Sequence, residues 1–182
     1  MASPSPLSIA AVLLAAGRST RFGSDKLRAD CGGQPVLTRA ARALRDAAPG
    51  PCLAVLRDAA QADLLPNGYQ IALCQDQQSD SLRMAVRWAA SAPGLLIALA
   101  DMPFVTPDLH RAVMAAMTTL PACARAASPL PPAVFPAAWF PRLQRLTGDR
   151  GAGALLRDLP ARQYVTAPAH QLRDIDRPSD LP

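Results

Sequence analysis

The feature that most constrains this chain is an unbroken apolar run, Ile9 to Ala16, cut off by Gly17 and followed by basic and polar residues as far as Lys26. The run is far shorter than the ~20 residues of a membrane helix. It also lacks the alternation of a half-buried strand. It therefore reads as a strand covered on both faces, as in parallel sheets flanked by helices. Gly17 and Gly23 let the backbone turn so that successive N–H groups can converge on an anion, and Arg18, Arg21 and Lys26 bring positive charge to it. The stretch is a strand running into a triphosphate cradle. It is not a Walker loop, because Gly23 is followed by Ser24-Asp25-Lys26, nor a dinucleotide fingerprint, which needs three closely spaced glycines.

Composition sharpens this reading. The chain has 18 arginines and one lysine, and that lysine is Lys26. An ammonium is compact and point-like, able to sit between phosphate oxygens where a planar guanidinium cannot. All 14 acidic residues are aspartates, so carboxylate chemistry must come from short side chains on well-placed backbone.

At 182 residues, half of them hydrophobic, the chain is expected to form one domain spanning 1–182. No apolar stretch is long enough to cross a membrane, and the N-terminal MASPSPLS lacks the basic start of a signal peptide, so a soluble cytoplasmic protein without membrane partners is expected. Cys31, Cys52, Cys74 and Cys123 are scattered without metal-knuckle spacing and read as reduced thiols. The net charge of +5 comes with only 4% aromatics and no basic block, which argues against nucleic acid and for a small polyanionic substrate.

Strand and helix signals then alternate. After a Gly32-Gly33 turn, Pro35 opens a helix with Val36, Leu37, Ala40, Ala41 and Leu44 on one face. A strand at 52–56, a short helix at 57–65, a strand at 69–74, a helix at 79–92, a strand at 95–100 and a helix at 107–117 capped by Thr106 follow. The pattern predicts an α/β fold: a three-layer, mostly parallel, doubly wound (Rossmann-like) sheet with helices on both faces and ligands beyond the carboxyl ends of the strands. From Pro121 proline becomes dense, and the expectation is irregular structure with edge strands near 123–127 and 133–135, helices at 137–146 and 151–159, and a last strand at 164–167.

Asp101 is the second anchor: an apolar strand delivers it, Pro103 stops the strand from continuing, and a carboxylate there can bind magnesium. Asp174 and Asp176 are spaced by two, so both point to one side of an extended segment. His110 and His170 lie outside every motif and read as structural or surface residues.

Leu14 to Lys26 resembles the LAAGxSxRxGxxK signature of nucleotidyltransferases, most closely the molybdenum cofactor cytidylyltransferase type, with Gly17, Arg18, Ser19, Arg21, Gly23 and Lys26 in register. The similarity continues through LADMPFV at Leu99–Val105, DIDRPSDL at Asp174–Leu181, QDQQSDSLRMAV at Gln75–Val86 and FPRLQRLTGDRGAGALL at Phe140–Leu156. It implies Mg2+-dependent transfer of a nucleotidyl group, with CTP as the donor, to the phosphate of a molybdopterin-type acceptor, in the service of a molybdoenzyme. It also implies nucleotide contacts from Leu14, Ala15, Ala16, Gly17, Arg18, Ser19, Lys26, Ser81 and Asp101. Arg18, Lys26 and Asp101 would be catalytic, and Asp101 with Asp176 would hold the metal. Asp174 is a weaker ligand candidate, and Arg83 reads equally as a solvated helix residue. Gly148–Gly151 is either an anion-binding turn or a helix boundary capped by Asp149. The chain departs from the family at Gln77, where glycine is usual. It departs again at Leu130-Pro131-Pro132, where a Gly-His-Pro or Gly-Asn-Pro step precedes a strand. Two other readings stand beside this one: transfer to a different phosphorylated small molecule, and a cofactor-binding chaperone without turnover.

Overall fold

The computed structural model describes residues 8–17, 22–75, 77–148 and 151–182. Its framework is a seven-stranded sheet of strands β1 (Ala10–Ala15), β2 (Cys52–Leu56), β3 (Tyr69–Leu73), β4 (Gly94–Leu99), β5 (Ala122–Arg125), β6 (Pro129–Pro136) and β7 (Tyr164–Thr166), in the order β3-β2-β1-β4-β6-β5-β7. Strands β3, β2, β1 and β4 run parallel, with Val12 aligned between Leu53 and Ile97. β6 is antiparallel to both β4 and β5. The fold is the Rossmann-like α/β arrangement that the strand and helix pattern predicts.

Helices cover both faces because the strands are apolar on both. Ala11, Leu13 and Ala15 of β1 face a core shared with Val36, Leu37, Ala40, Ala41 and Leu44 of helix α1 (Val36–Ala47) and with Leu109 and Val113 of α3 (Pro107–Ala115). Ala10 and Val12 face the opposite core, filled by Leu82, Ala85 and Val86 of α2 (Gln78–Trp88) and by Phe140 and Leu143 of α4 (Phe140–Gln144). Each leucine or valine so buried contributes on the order of 1.5–3 kcal/mol of transfer free energy. Pro35 caps α1 and does not form its first turn, and Thr106 caps α3, its hydroxyl accepting from the Leu109 N–H.

The proline-rich region differs from expectation. β5 and β6 are interior strands, and β3 and β7 form the edges. Pro131 and Pro132 are accommodated because the β5–β6 register jumps between Ala133 and Leu130, so no ladder N–H is asked of them. Several expected helices are shorter or tighter. The 57–65 segment is a 3-10 helix at Ala59–Leu64, and 151–159 supports only a 3-10 turn at Ala152–Leu155, where Gly151 and Gly153 disfavour longer helix. The 137–146 segment is a 3-10 turn at Ala137–Trp139 leading into α4, and α2 ends at Trp88. Among the described residues no helix is long and apolar enough to cross a membrane, and all four cysteines are buried free thiols.

Candidate active site

The strand order reverses between β1 and β4, which puts a crevice beyond their carboxyl ends. There the Ala100 N–H donates to Leu14 O at 3.0 Å, bringing the end of β1 beside Asp101. A cavity of about 410 Å³ opens at this point, lined by Leu14, Ala15, Ala16, Gly17, Lys26, Gln77, Gln78, Ser81 and Asp101, among others. Its size lies within the usual range for small-ligand sites.

Lys26 opens a short 3-10 turn, Lys26–Arg28, capped by Asp25, whose carboxylate accepts from the Leu27 N–H at 3.1 Å. Gly23 takes a φ of +81°, a conformation that side chains rarely adopt, as the loop approaches this turn. Lys26 is buried, and its Nζ donates to Asp101 Oδ2 at 2.9 Å and Asp176 Oδ1 at 3.2 Å. Burial alone would lower the lysine pKa, but attraction to Asp101 and then Asp176 outweighs it and raises the pKa above 10.5. The lysine is therefore a fixed positive charge between two carboxylates.

Asp176 reaches this point from the tail. The Ile175 N–H donates to Asp101 O at 2.8 Å and the Ile175 side chain is fully buried, which fixes the segment against β4. Asp180 secures the other side, its Oδ2 accepting from the N–H groups of Asp176 at 2.9 Å and Arg177 at 2.7 Å. Asp174 is close enough to feel the same charges: burial raises its pKa, and repulsion from Asp176 and Asp101 adds to this.

On the far wall Ser81 is buried, and its Oγ has no hydrogen-bond partner among the described residues. Gln77 also lines the cavity. Arg83 is half-buried: it donates to Leu146 O at 2.8 Å and pairs with Asp80. Arg18, Ser19 and Arg21, like Asp149 and Arg150, lie outside the described residues. The structure thus brings Leu14 to Gly17, Lys26, Ser81 and Asp101 to one cavity, with Asp176 joined to it through Lys26.

Sequence reasoning missed the residues that hold this group in place. Arg57, just past β2, donates to Ala16 O at 3.5 Å. Gln61 donates to Asp25 Oδ2 at 3.0 Å, and Asp180 clamps the tail. Only Asp180 had a local signal, since Pro178 followed by an acidic residue is a helix-start pattern.

A mostly parallel sheet with a cavity, a buried cation and paired carboxylates at its switch point is the arrangement of a Rossmann-like ligand-binding enzyme. Residues 11–166 match the MobA-like NTP transferase domain, and the chain belongs to that family; it is a nucleotidyltransferase. It is 30% identical to the purine catabolism protein PucB of Bacillus subtilis, over 93% of this chain and 92% of that one. The crystal structure of Rv0371c from Mycobacterium tuberculosis H37Rv is 27% identical and superposes with a TM-score of 0.80, covering 95% of each chain. A nucleotidyl transferase from Methanothermobacter shares the fold at a TM-score of 0.80 and 22% identity, over 95% of this chain and 94% of that one.

Proposed function

We propose that residues 1–182 act as a single cytoplasmic domain that transfers the nucleotidyl group of CTP to the phosphate of a molybdopterin-type acceptor, releasing pyrophosphate, and so supplies a molybdoenzyme. The observation that carries this reading is the buried Lys26 ammonium held between Asp101 and Asp176 at the wall of a cavity that starts at Gly17.

The donor set suits magnesium. Asp101 and Asp176, from separate elements, both reach the Lys26 ammonium, so their oxygens lie close to one another, and hard oxygen ligands are what this ion takes where it displaces the lysine. Asp101 and Asp176 are the residues that would hold it, and when bound it would offset triphosphate charge and orient the phosphates. Rv0371c, 27% identical to this chain, has also been solved in complex with manganese.

The chain's own groups account for the rest. The backbone of Ala16 to Ser19 binds the β- and γ-phosphates, Ser81 binds on the nucleotide side, and Arg18 and Lys26 neutralise charge building on the leaving pyrophosphate. The acceptor phosphate has a second pKa near ~6 and is already dianionic at neutral pH, so its oxygen attacks the α-phosphorus without a general base. Catalysis is positioning and charge neutralisation. Ala16 supports CTP, since relatives that use guanine nucleotides resemble this loop but have a second glycine there.

A second reading, transfer to another phosphorylated small molecule, is favoured by Leu130-Pro131-Pro132, which stands where the family's acceptor step has glycine and a polar residue. Pyrophosphate release, measured for each nucleoside triphosphate against molybdopterin, sugar phosphates and alcohol phosphates, separates the two. Magnesium-dependent release with CTP and molybdopterin is expected. Release only with a different phosphate would establish the second reading.

A further inference from the structure

Gln61 belongs to no motif. It lies in the connection between β2 and β3, on the 3-10 helix Ala59–Leu64, where a polar residue would ordinarily face water. Instead it is only 6% exposed, and a buried amide needs partners on both ends. Its Oε1 accepts from the Asp58 N–H at 3.4 Å, and its Nε2 donates to Asp25 Oδ2 at 3.0 Å. The Asp58 carboxylate in turn accepts from the Ala60 N–H at 2.9 Å, so the amide projects from a turn that is itself capped.

Asp25 is where this contact matters. Its other oxygen, Oδ1, caps the Lys26–Arg28 turn through the Leu27 N–H. A carboxylate on a short side chain can rotate; the Gln61 amide at 3.0 Å, with the Arg28 guanidinium farther off at 3.8 Å, holds Oδ2 away from the turn and so fixes which oxygen faces it. Arg28 adds a second tie between the same two segments, pairing with Asp63 at 3.1 Å and bonding to Ala60 O. Gln61 is not among the residues that line the cavity, so its tie to the site runs through Asp25.

We infer that Gln61 is a positioning residue for nucleotidyl transfer: through Asp25 it sets the turn that aims the Lys26 ammonium at the triphosphate site. The assignment rests on the reading of Lys26 as the phosphate-neutralising cation. A glutamine suits the task because it donates to a carboxylate without adding charge beside an electrostatic site. A glutamate of the same shape would repel Asp25.

Lys26 is the only lysine, so protein labelled with 13C-lysine gives one side-chain Cε signal that reports its surroundings without assignment. Gln61→Met keeps the volume and removes the amide. It is expected to unfold at nearly the wild-type temperature, to shift the Lys26 signal, and to lower kcat/KM for pyrophosphate release about 10- to 100-fold, the usual cost of losing an orienting contact. Gln61→Glu should move the signal further. In a Lys26→Ala background Gln61→Met should cause no additional loss. An unmoved lysine signal with full kcat/KM in folded Gln61→Met would overturn the inference, as would an equal fold loss with and without Lys26. If Lys26→Ala alone turned over at the wild-type rate, the reading of Lys26 would fall, while the lysine signal would still decide whether Gln61 sets its position.

Discussion

The Nζ of Lys26 stands 2.9 Å from Oδ2 of Asp101, so the chain's one lysine side chain occupies the neighbourhood of the carboxylate proposed as a metal ligand. A second cation at that carboxylate must compete with the lysine or displace it. Lys26→Met should therefore bind Mn2+ more tightly than wild type without nucleotide. The pair is partly exposed, with Asp101 at 28% and Asp176 at 44%, so the relief is about 1 kcal/mol, or roughly fivefold in Kd. Titration followed by electron paramagnetic resonance checks this; equal or weaker binding in the variant would refute it.

The proposed base preference should rest on Ala16, which lines the cavity and carries a methyl group that a glycine would lack. CTP should exceed GTP in kcat/KM by a factor corresponding to ~1–3 kcal/mol, a partial preference, and Ala16→Gly should reduce it. A competition assay with both nucleotides reads this directly, and equal use of GTP by the original protein would count against it.

His110 provides a pH dependence outside the site. It is buried, its Nδ1 has no hydrogen-bond partner among the described residues, and burial followed by the Arg111 charge lowers its pKa from 6.5 to about 4. The unfolded chain therefore takes up a proton between these values and the folded one does not. Stability present above pH 6.5 is lost as the pH falls towards about 4, by up to about 3 kcal/mol. Urea unfolding at pH 7 and pH 5 should show this loss in the original protein and much less of it in His110→Leu. Identical losses in both would place the effect elsewhere.

The proposed acceptor reading is tested at the start of β6. Leu130→Gly with Pro131→His restores a flexible step and a polar side chain, and should tighten molybdopterin binding while leaving Mg2+·CTP binding unchanged by calorimetry. If the original protein binds molybdopterin tightly and the double variant loses it, Leu130-Pro131 is another solution for the same acceptor.

Much of the nucleotide half was legible because its signals are local. A continuous apolar run predicts β1, the break at Gly17 predicts the loop, and LLIALA followed by Asp101 predicts a carboxylate at a strand end. The meeting of Lys26 with Asp101 and Asp176 depends on backbone bonds such as Ile175 N–H to Asp101 O, which join distant segments and leave no local pattern. The same holds for Gln61, whose partner Asp25 lies 36 residues away in the chain. β6 was misplaced at an edge because its prolines exclude an interior strand unless a register jump relieves them, and that jump is a property of the β5–β6 pair.

The central claim is tested most directly by following the α-phosphorus. With CTP labelled at that atom, Mg2+ and molybdopterin, the original protein should move the label onto the pterin and release unlabelled pyrophosphate. Asp101→Asn should stay folded and transfer none, since a neutral amide is a poor ligand for a hard cation. Transfer by Asp101→Asn at the original rate with unchanged Mg2+ dependence, or a label that stays in CTP while molybdopterin is bound, would contradict the account.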